Sequence, residues 1–136
     1  MDKKEVLEFL NANKTSYLAT VEDGAPRVRG IGIVKADVDG ILFQTWKSKD
    51  LNQQLEHNAV VEFCFYNFEK RIQIRVRGKV TPVEDAATKQ LVLKEQPYFQ
   101  KLVDSGQEMA IYRLKNGMAH IWTMQNNFEP KTFINL

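Results

Sequence analysis

The chain reads as a mainly β protein, a β-barrel with added helices, and three observations carry that reading. Apolar and polar residues alternate at period two through much of the chain between 16 and 80. Turn pairs punctuate the alternating segments at Asp23-Gly24, Asp39-Gly40 and Asn116-Gly117. Helical patterning is confined to the N-terminus, a short stretch after 48 and the region 84–105. A length of 136 residues suits one domain, 1–136, with a core of its own.

Taken in order, Asp2 caps a helix running to about Asn13, with Val6, Leu7, Phe9 and Leu10 on its buried side. Residues 16–22 alternate as a strand, and EDGAP turns them into a second strand, 27–34. The turn DVDG leads to a third strand ending at Thr45, and a short amphipathic helix follows. Residues 59–66 and 71–80 form the next strand pair, and 84–105 forms one or two helices broken at Pro97. Asn116-Gly117 is expected to join MAIYRLK to MAHIWTM as a hairpin, with a last short strand after Pro130. About seven hairpin-connected strands suit a closed or nearly closed antiparallel barrel, or a β-sandwich with helical decoration. Closure would hide the long apolar strand edges at 59–66 and 71–80. Periodicity does not choose between the two.

Composition narrows the function classes. Apolar residues make up 43% and charged residues 26%, as in a soluble globular protein. No apolar run approaches the ~18–20 residues that cross a bilayer, so no membrane role is expected. The N-terminus carries no signal-peptide apolar region, and a cytoplasmic location is expected. The single Cys64 lies in an apolar strand pattern and reads as a small buried thiol. A net charge of +2 is too small to imply nucleic acid as a partner. Motifs of the forms GxSxG, HExxH and CxxC are absent, and His57 and His120 have no ligand spacing around them, so no metal site and no catalytic side chain is assigned.

Two features point to an anionic ligand. At 45–58 the chain reads TWKSKDLNQQLEHN, a strand end, a cationic turn and a helix start. Unpaired N–H groups and the helix dipole draw anions to such a start. Ser48 is placed to cap the helix, and Lys47 and Lys49 add full charges, making a phosphate seat. The second feature is the stripe Arg71, Gln73, Arg75 and Arg77, which alternates with Ile72, Ile74 and Val76. It suits a solvated exterior paired with Glu62 and Glu69, a ligand wall or a subunit interface. Arg27 and Arg29 share one face of their strand, with Gly30 and Gly32 on the other.

The ordered set PRVRGIG, GILFQT, KSKDL, QLEHN and IRVRGKV resembles the FMN-binding split-barrel superfamily, which includes pyridoxamine 5'-phosphate oxidase and smaller nitroimidazole-reductase-like relatives. The resemblance implies an antiparallel split β-barrel of Greek-key type and an FMN-binding flavoprotein, an oxidoreductase acting on a small planar substrate. It also implies a homodimer with the cofactor at the subunit interface. Carried onto this chain, Arg27, Val28, Arg29 and Gly30 lie along the flavin, and Thr45 lies beside it. Lys47, Ser48 and Lys49 take its phosphate, and Gln73 and Arg75 reach the neighbouring subunit's cofactor. Trp122 either presents an aromatic to the cofactor or packs in the barrel. Arg29 and Arg75 are expected to tune the ring, and replacing either by Met is expected to lower the flavin's reduction potential while leaving the fold intact. The oxidase's Arg-x-His substrate element has no counterpart, which argues against pyridoxamine phosphate as substrate. Haem held by His57 or His120, a deazaflavin, and a non-catalytic flavin-holding role are the alternatives.

Overall fold

The computed structural model describes residues 1–136. Its elements in chain order are α1 (Lys3–Ala12), β1 (Thr15–Glu22), β2 (Ala25–Asp37), β3 (Gly40–Trp46), α2 (Asp50–His57), β4 (Val60–Asn67), β5 (Ile72–Pro82), α3 (Ala86–Glu95), α4 (Phe99–Asp104), β6 (Met109–Leu114), β7 (Met118–Trp122) and β8 (Ile134–Asn135). Helix α1 starts at a reciprocal cap: Glu5 N–H donates to Asp2 Oδ1 at 2.8 Å, and Asp2 N–H donates to Glu5 Oε2 at 3.2 Å. Val6, Phe9 and Leu10 of α1 enter the core, whereas Leu7 is only half-buried at its rim. Asn11 pins the helix to β2 by bonding both the N–H and the carbonyl of Ala36.

Six strands close into an antiparallel barrel in the order β1-β2-β3-β6-β5-β4, with β4 pairing back to β1. Closure settles the choice between barrel and sandwich. The interior is filled by aromatic rings: Phe43 meets Phe63 edge-on at 5.2 Å and stacks on Tyr112 at 5.9 Å. Outside β2, β3 and β6, a smaller apolar layer of Val34, Leu42 and Ile111 is covered by Val92 of α3. No helix is long and apolar enough to cross a membrane.

The turns at Asp23-Gly24 and Asp39-Gly40 fall where the sequence puts them. At Gly40, φ is 124° and an added Cβ would lie 2.3 Å from the Leu114 carbonyl oxygen, so only glycine fits. The chain also bends at Asn116-Gly117, where Asn116 has φ 53°, but no hairpin forms. Strand β6 pairs with β3 and with Val80, Thr81 and Pro82 of β5, whereas β7 pairs with residues 73–77 of β5. The chain crosses from one half of the long β5 to the other, and Gly117 sits tight in that corner.

Two further expectations are corrected. Arg71 is a turn residue with φ 54°, so of the four expected stripe residues only Gln73, Arg75 and Arg77 lie in β5. Cys64 faces outward and is half-buried opposite Arg75, because the alternation of β4 sends Phe63 and Phe65 into the core instead.

Candidate functional site

The barrel is open along one seam. Pairing of β2 with β3 runs from Asp37–Gly40 to Ile33–Phe43, with a register shift between Ile33 and Lys35, and then stops. Beyond that point residues 25–32 pair only with β1, and Gln44, Thr45 and Trp46 pair only with β6. Two strand edges therefore face each other with backbone donors and acceptors left over. A groove of about 650 Å³ occupies this split, with the start of α2 at its wall.

Seven of the sequence-predicted residues meet here: Arg27, Val28, Arg29, Gly30, Thr45, Ser48 and Lys49. Three cations, Arg27, Arg29 and Lys49, face two carboxylates, Glu22 and Asp50, leaving a net +1 in the groove (3 − 2). Arg27 shares Glu22 at 3.5 Å, and Lys49 has no carboxylate within ion-pair distance. Lys49 occupies the N-cap position of α2 and gives no side-chain cap. The first-turn N–H groups are thus left without a side-chain acceptor, a setting that suits an anion.

Ser48 does not cap α2. Its hydroxyl donates to Gln107 Oε1 at 3.1 Å, tying the cationic turn to the segment before β6. The turn also parts the two lysines. Lys47 lines a separate cleft of about 600 Å³ with Glu84, Lys89, Glu108 and Tyr112. Of the two lysines, only Lys49 lines the groove.

Arg29 has a second duty. Its Nη1 donates to the Leu18 carbonyl at 3.1 Å and to Thr20 Oγ1 at 2.8 Å, and its Nη2 donates to Gln54 Oε1. Thr20 and Gln54 are buried and bonded to each other, so Arg29 braces β1, β2 and α2 together. Burial lowers its guanidinium pKa from the ordinary value, opposed by Asp50 and Glu22. The brace gives Arg29 a structural role in addition to its place in the groove.

The remaining predicted residues lie elsewhere in the protomer. Gln73 is paired with Trp122 on the outer face of β5 and β7, and Arg75 is paired with His120. Trp122 donates its Nε1–H to Asn127 and does not reach the groove. The Arg75 Nε is buried without a hydrogen bond, 4.0 Å from Glu62. Arg77 stacks on Phe133 at 4.2 Å. Neither histidine lines the groove: His57 ends α2 with Nδ1 at the Gln53 carbonyl, and His120 packs near Phe133 with Nδ1 at the Thr132 carbonyl.

Sequence reasoning missed Gln44, Trp46 and Gln54 as groove residues. Gln54 was visible in principle, because it falls on the buried side of α2 with Leu51 and Leu55 at helical spacing. Gln44 carried no local signal, since the opening of the seam depends on a strand it does not pair with.

A sequence model of pyridoxamine 5'-phosphate oxidase matches residues 2–119. The chain belongs to that family. Among relatives, the pyridoxine/pyridoxamine 5'-phosphate oxidase of Bradyrhizobium sp. is 39% identical over 77 residues, which are 56% of this chain and 36% of that protein. The chain spans about a third of the length of the curated relatives it matches. A NimC/NimA family protein from Clostridium acetobutylicum superposes with a TM-score of 0.79 at 26% identity, covering 98% of this chain and 92% of its own. A pyridoxamine 5'-phosphate oxidase-related, FMN-binding protein from Nostoc punctiforme shares the fold, with a TM-score of 0.65 at 16% identity over 98% and 96% of the two chains. The seam between β2 and β3 is thus the feature of this family member to be explained.

Proposed function

We propose that the seam groove binds FMN and that the protein is an FMN-dependent oxidoreductase acting on a small planar substrate. The observation that carries the reading is the split itself. Two unpaired strand edges flank a groove whose cationic wall, Arg27 and Lys49, adjoins a helix start. The donor set suits a ligand with one anionic terminus and a long polar edge, as FMN has. Family membership and the FMN-binding Nostoc neighbour support the assignment.

In this reading Arg27, Lys49 and the first turn of α2 hold the phosphate, while the edges at Val28–Gly30 and Thr45 orient the ring system. Arg29 keeps those edges in place through its brace. The flavin, when bound, supplies the two-electron redox chemistry, and the chain supplies binding, orientation and electrostatics. Buried Thr45, Gln44 and Leu51 exclude water from the groove floor.

The working unit in this reading is a homodimer with the groove at the interface. Val28 and Gly30 line the groove and also face outward next to Ala19 and Tyr17. Val28 is 70% exposed and Tyr17 54%, on the sheet that also carries the unpaired Arg75 Nε. A second copy on that sheet would cover the apolar residues and give Gln73 and Arg75 partners. Absorbance of the purified protein, with mass identification of the released chromophore, tests the cofactor. A flavin spectrum with released FMN supports the reading, and haem, a deazaflavin or no uptake of added FMN refutes it.

A further inference from the structure

Beside the groove lies a smaller pocket of about 150 Å³, and the two share Ile31 and Gln44 as a common wall. The rest of its lining comes from residues 32–34 of β2 and from Gln96, Tyr98 and Phe99, where the chain passes from α3 to α4. Pro97 stops α3, and the Phe99 N–H donates to the Gln96 carbonyl, so a tight turn projects Tyr98 outward. The aromatic side is continuous with the groove. Tyr98 meets Phe99 at 4.5 Å, and Phe99 meets Trp46, a groove residue, at 5.4 Å.

Three properties define what the pocket can take. A space of about 150 Å³ holds one benzene-sized ring. A tricyclic flavin is too large for it. No charged side chain lines it, so an ionised group would find no counter-charge there. Gln44 is 8% exposed, and its one side-chain hydrogen bond runs from Nε2 to the Thr45 carbonyl. That bond fixes the amide orientation and leaves Oε1, an acceptor, unpaired at the junction of groove and pocket. Gln96 offers a second amide opposite.

We infer that this pocket seats the substrate: a neutral single-ring aromatic or quinonoid compound bearing an N–H or O–H donor for Gln44 Oε1, with Tyr98 and Gln96 setting specificity. Its role as a substrate seat rests on the FMN reading of the groove, but its ligand chemistry does not. The inference excludes phosphorylated ligands such as pyridoxamine 5'-phosphate from the pocket, because nothing there matches a dianion.

The test uses the full chain labelled with ¹⁵N and two isosteric probes, benzamide and benzoate, titrated with and without FMN. Benzamide is expected to bind at roughly millimolar affinity, as suits so small a ligand. It should shift the Gly32 amide and the Gln44 and Gln96 side-chain amide signals. Benzoate should leave them in place. Tyr98→Ala and, separately, Gln96→Ala should each weaken benzamide about three- to tenfold, the worth of one aromatic face or one hydrogen bond. FMN affinity should be the same in both variants, because neither residue lines the groove. Equal binding of benzoate, or benzamide affinity unchanged in both variants, overturns the inference. FMN binding without benzamide shifts at these signals also overturns it. Benzamide binding without FMN binding upholds the pocket's chemistry and refutes the cofactor reading instead.

Discussion

Replacing Arg29 by Met should destabilise the cofactor-free protein by about 2 kcal/mol, whereas Arg27→Met should cost less than about 1 kcal/mol. The difference follows from what each guanidinium touches. Arg29 bonds Thr20 Oγ1, the Leu18 carbonyl and Gln54 Oε1, and Thr20 and Gln54 are 2% and 5% exposed. A hydrogen bond from a charged donor contributes about 1.5–3 kcal/mol. Taking the low end for the two side-chain bonds gives about 3 kcal/mol. Removing a half-buried cation also relieves the burial that lowers its pKa, so the net loss falls below that sum, toward about 2 kcal/mol. Thr20 and Gln54 keep their mutual bond and Gln54 keeps Glu22, so neither is orphaned. Arg27 has only the exposed Glu22 pair at 3.5 Å and the neighbouring Pro26 carbonyl. Urea unfolding followed by circular dichroism on stripped protein measures both variants, since bound cofactor would mask the loss. At this chain length the Arg29→Met loss is about 6–8 °C in Tm. A Gln54→Leu variant combined with Arg29→Met should cost less than the sum of the two. An Arg29→Met stability equal to that of Arg27→Met would refute the brace.

Other outcomes follow from the same structure. Gly117→Ala should cost about 1–3 kcal/mol, because its Cβ would lie 2.6 Å from Val76 Cγ1 and 2.7 Å from Leu114 Cδ2 in a packed corner; a neutral result in urea unfolding would mean that the corner yields. Asp2→Ala removes the side-chain acceptor of the Glu5 N–H but keeps the backbone N–H that bonds Glu5 Oε2, and should cost about 0.5–2 kcal/mol in urea unfolding. For Asp37, burial raises the carboxyl pKa, but the Lys35 hydrogen bond, the Asp39 N–H and the Lys35 and Arg113 charges outweigh it and hold the value below the ordinary one. Its stabilising contribution is therefore present above the unfolded pKa and lost as pH falls through the folded one. Lys35→Met should raise the Asp37 midpoint, read by carboxyl NMR titration. Sedimentation of the FMN-loaded protein at micromolar concentration should show a dimer, and a fully loaded monomer would contradict the proposed interface.

Local chemistry made much of this fold legible. Asp2 announces α1 as its cap, and Asp-Gly pairs announce the first two turns because their backbone conformations need those residues. The alternation of β4 sends Phe63 and Phe65 inside and Cys64 outside, a consequence that reading the apolar run FCFY by hydrophobicity alone overlooks. Asn116-Gly117 misleads because a turn fixes only chain reversal. Which strand receives the chain depends on β5, some forty residues earlier, being long enough to serve two sheet halves. The site was half legible for a similar reason. Arg27, Arg29, Thr45 and Lys49 carry charge or position that marks them, whereas Gln44 and Tyr98 matter only because β2 and β3 part after Ile33. Lys47 and Lys49 look equivalent in sequence, and the turn between them sends one to each cleft.

The seam groove is proposed as a phosphate-anchored flavin site. Its most direct test is a fluorescence titration of stripped protein with FMN and with riboflavin, in the wild type, Lys49→Ala and Lys47→Ala. The phosphate should make FMN bind wild type more tightly by about 1.5–3 kcal/mol, and most of that advantage should vanish in Lys49→Ala while surviving in Lys47→Ala. Equal affinity for FMN and riboflavin in the wild type, or an FMN advantage untouched by Lys49→Ala, would contradict it.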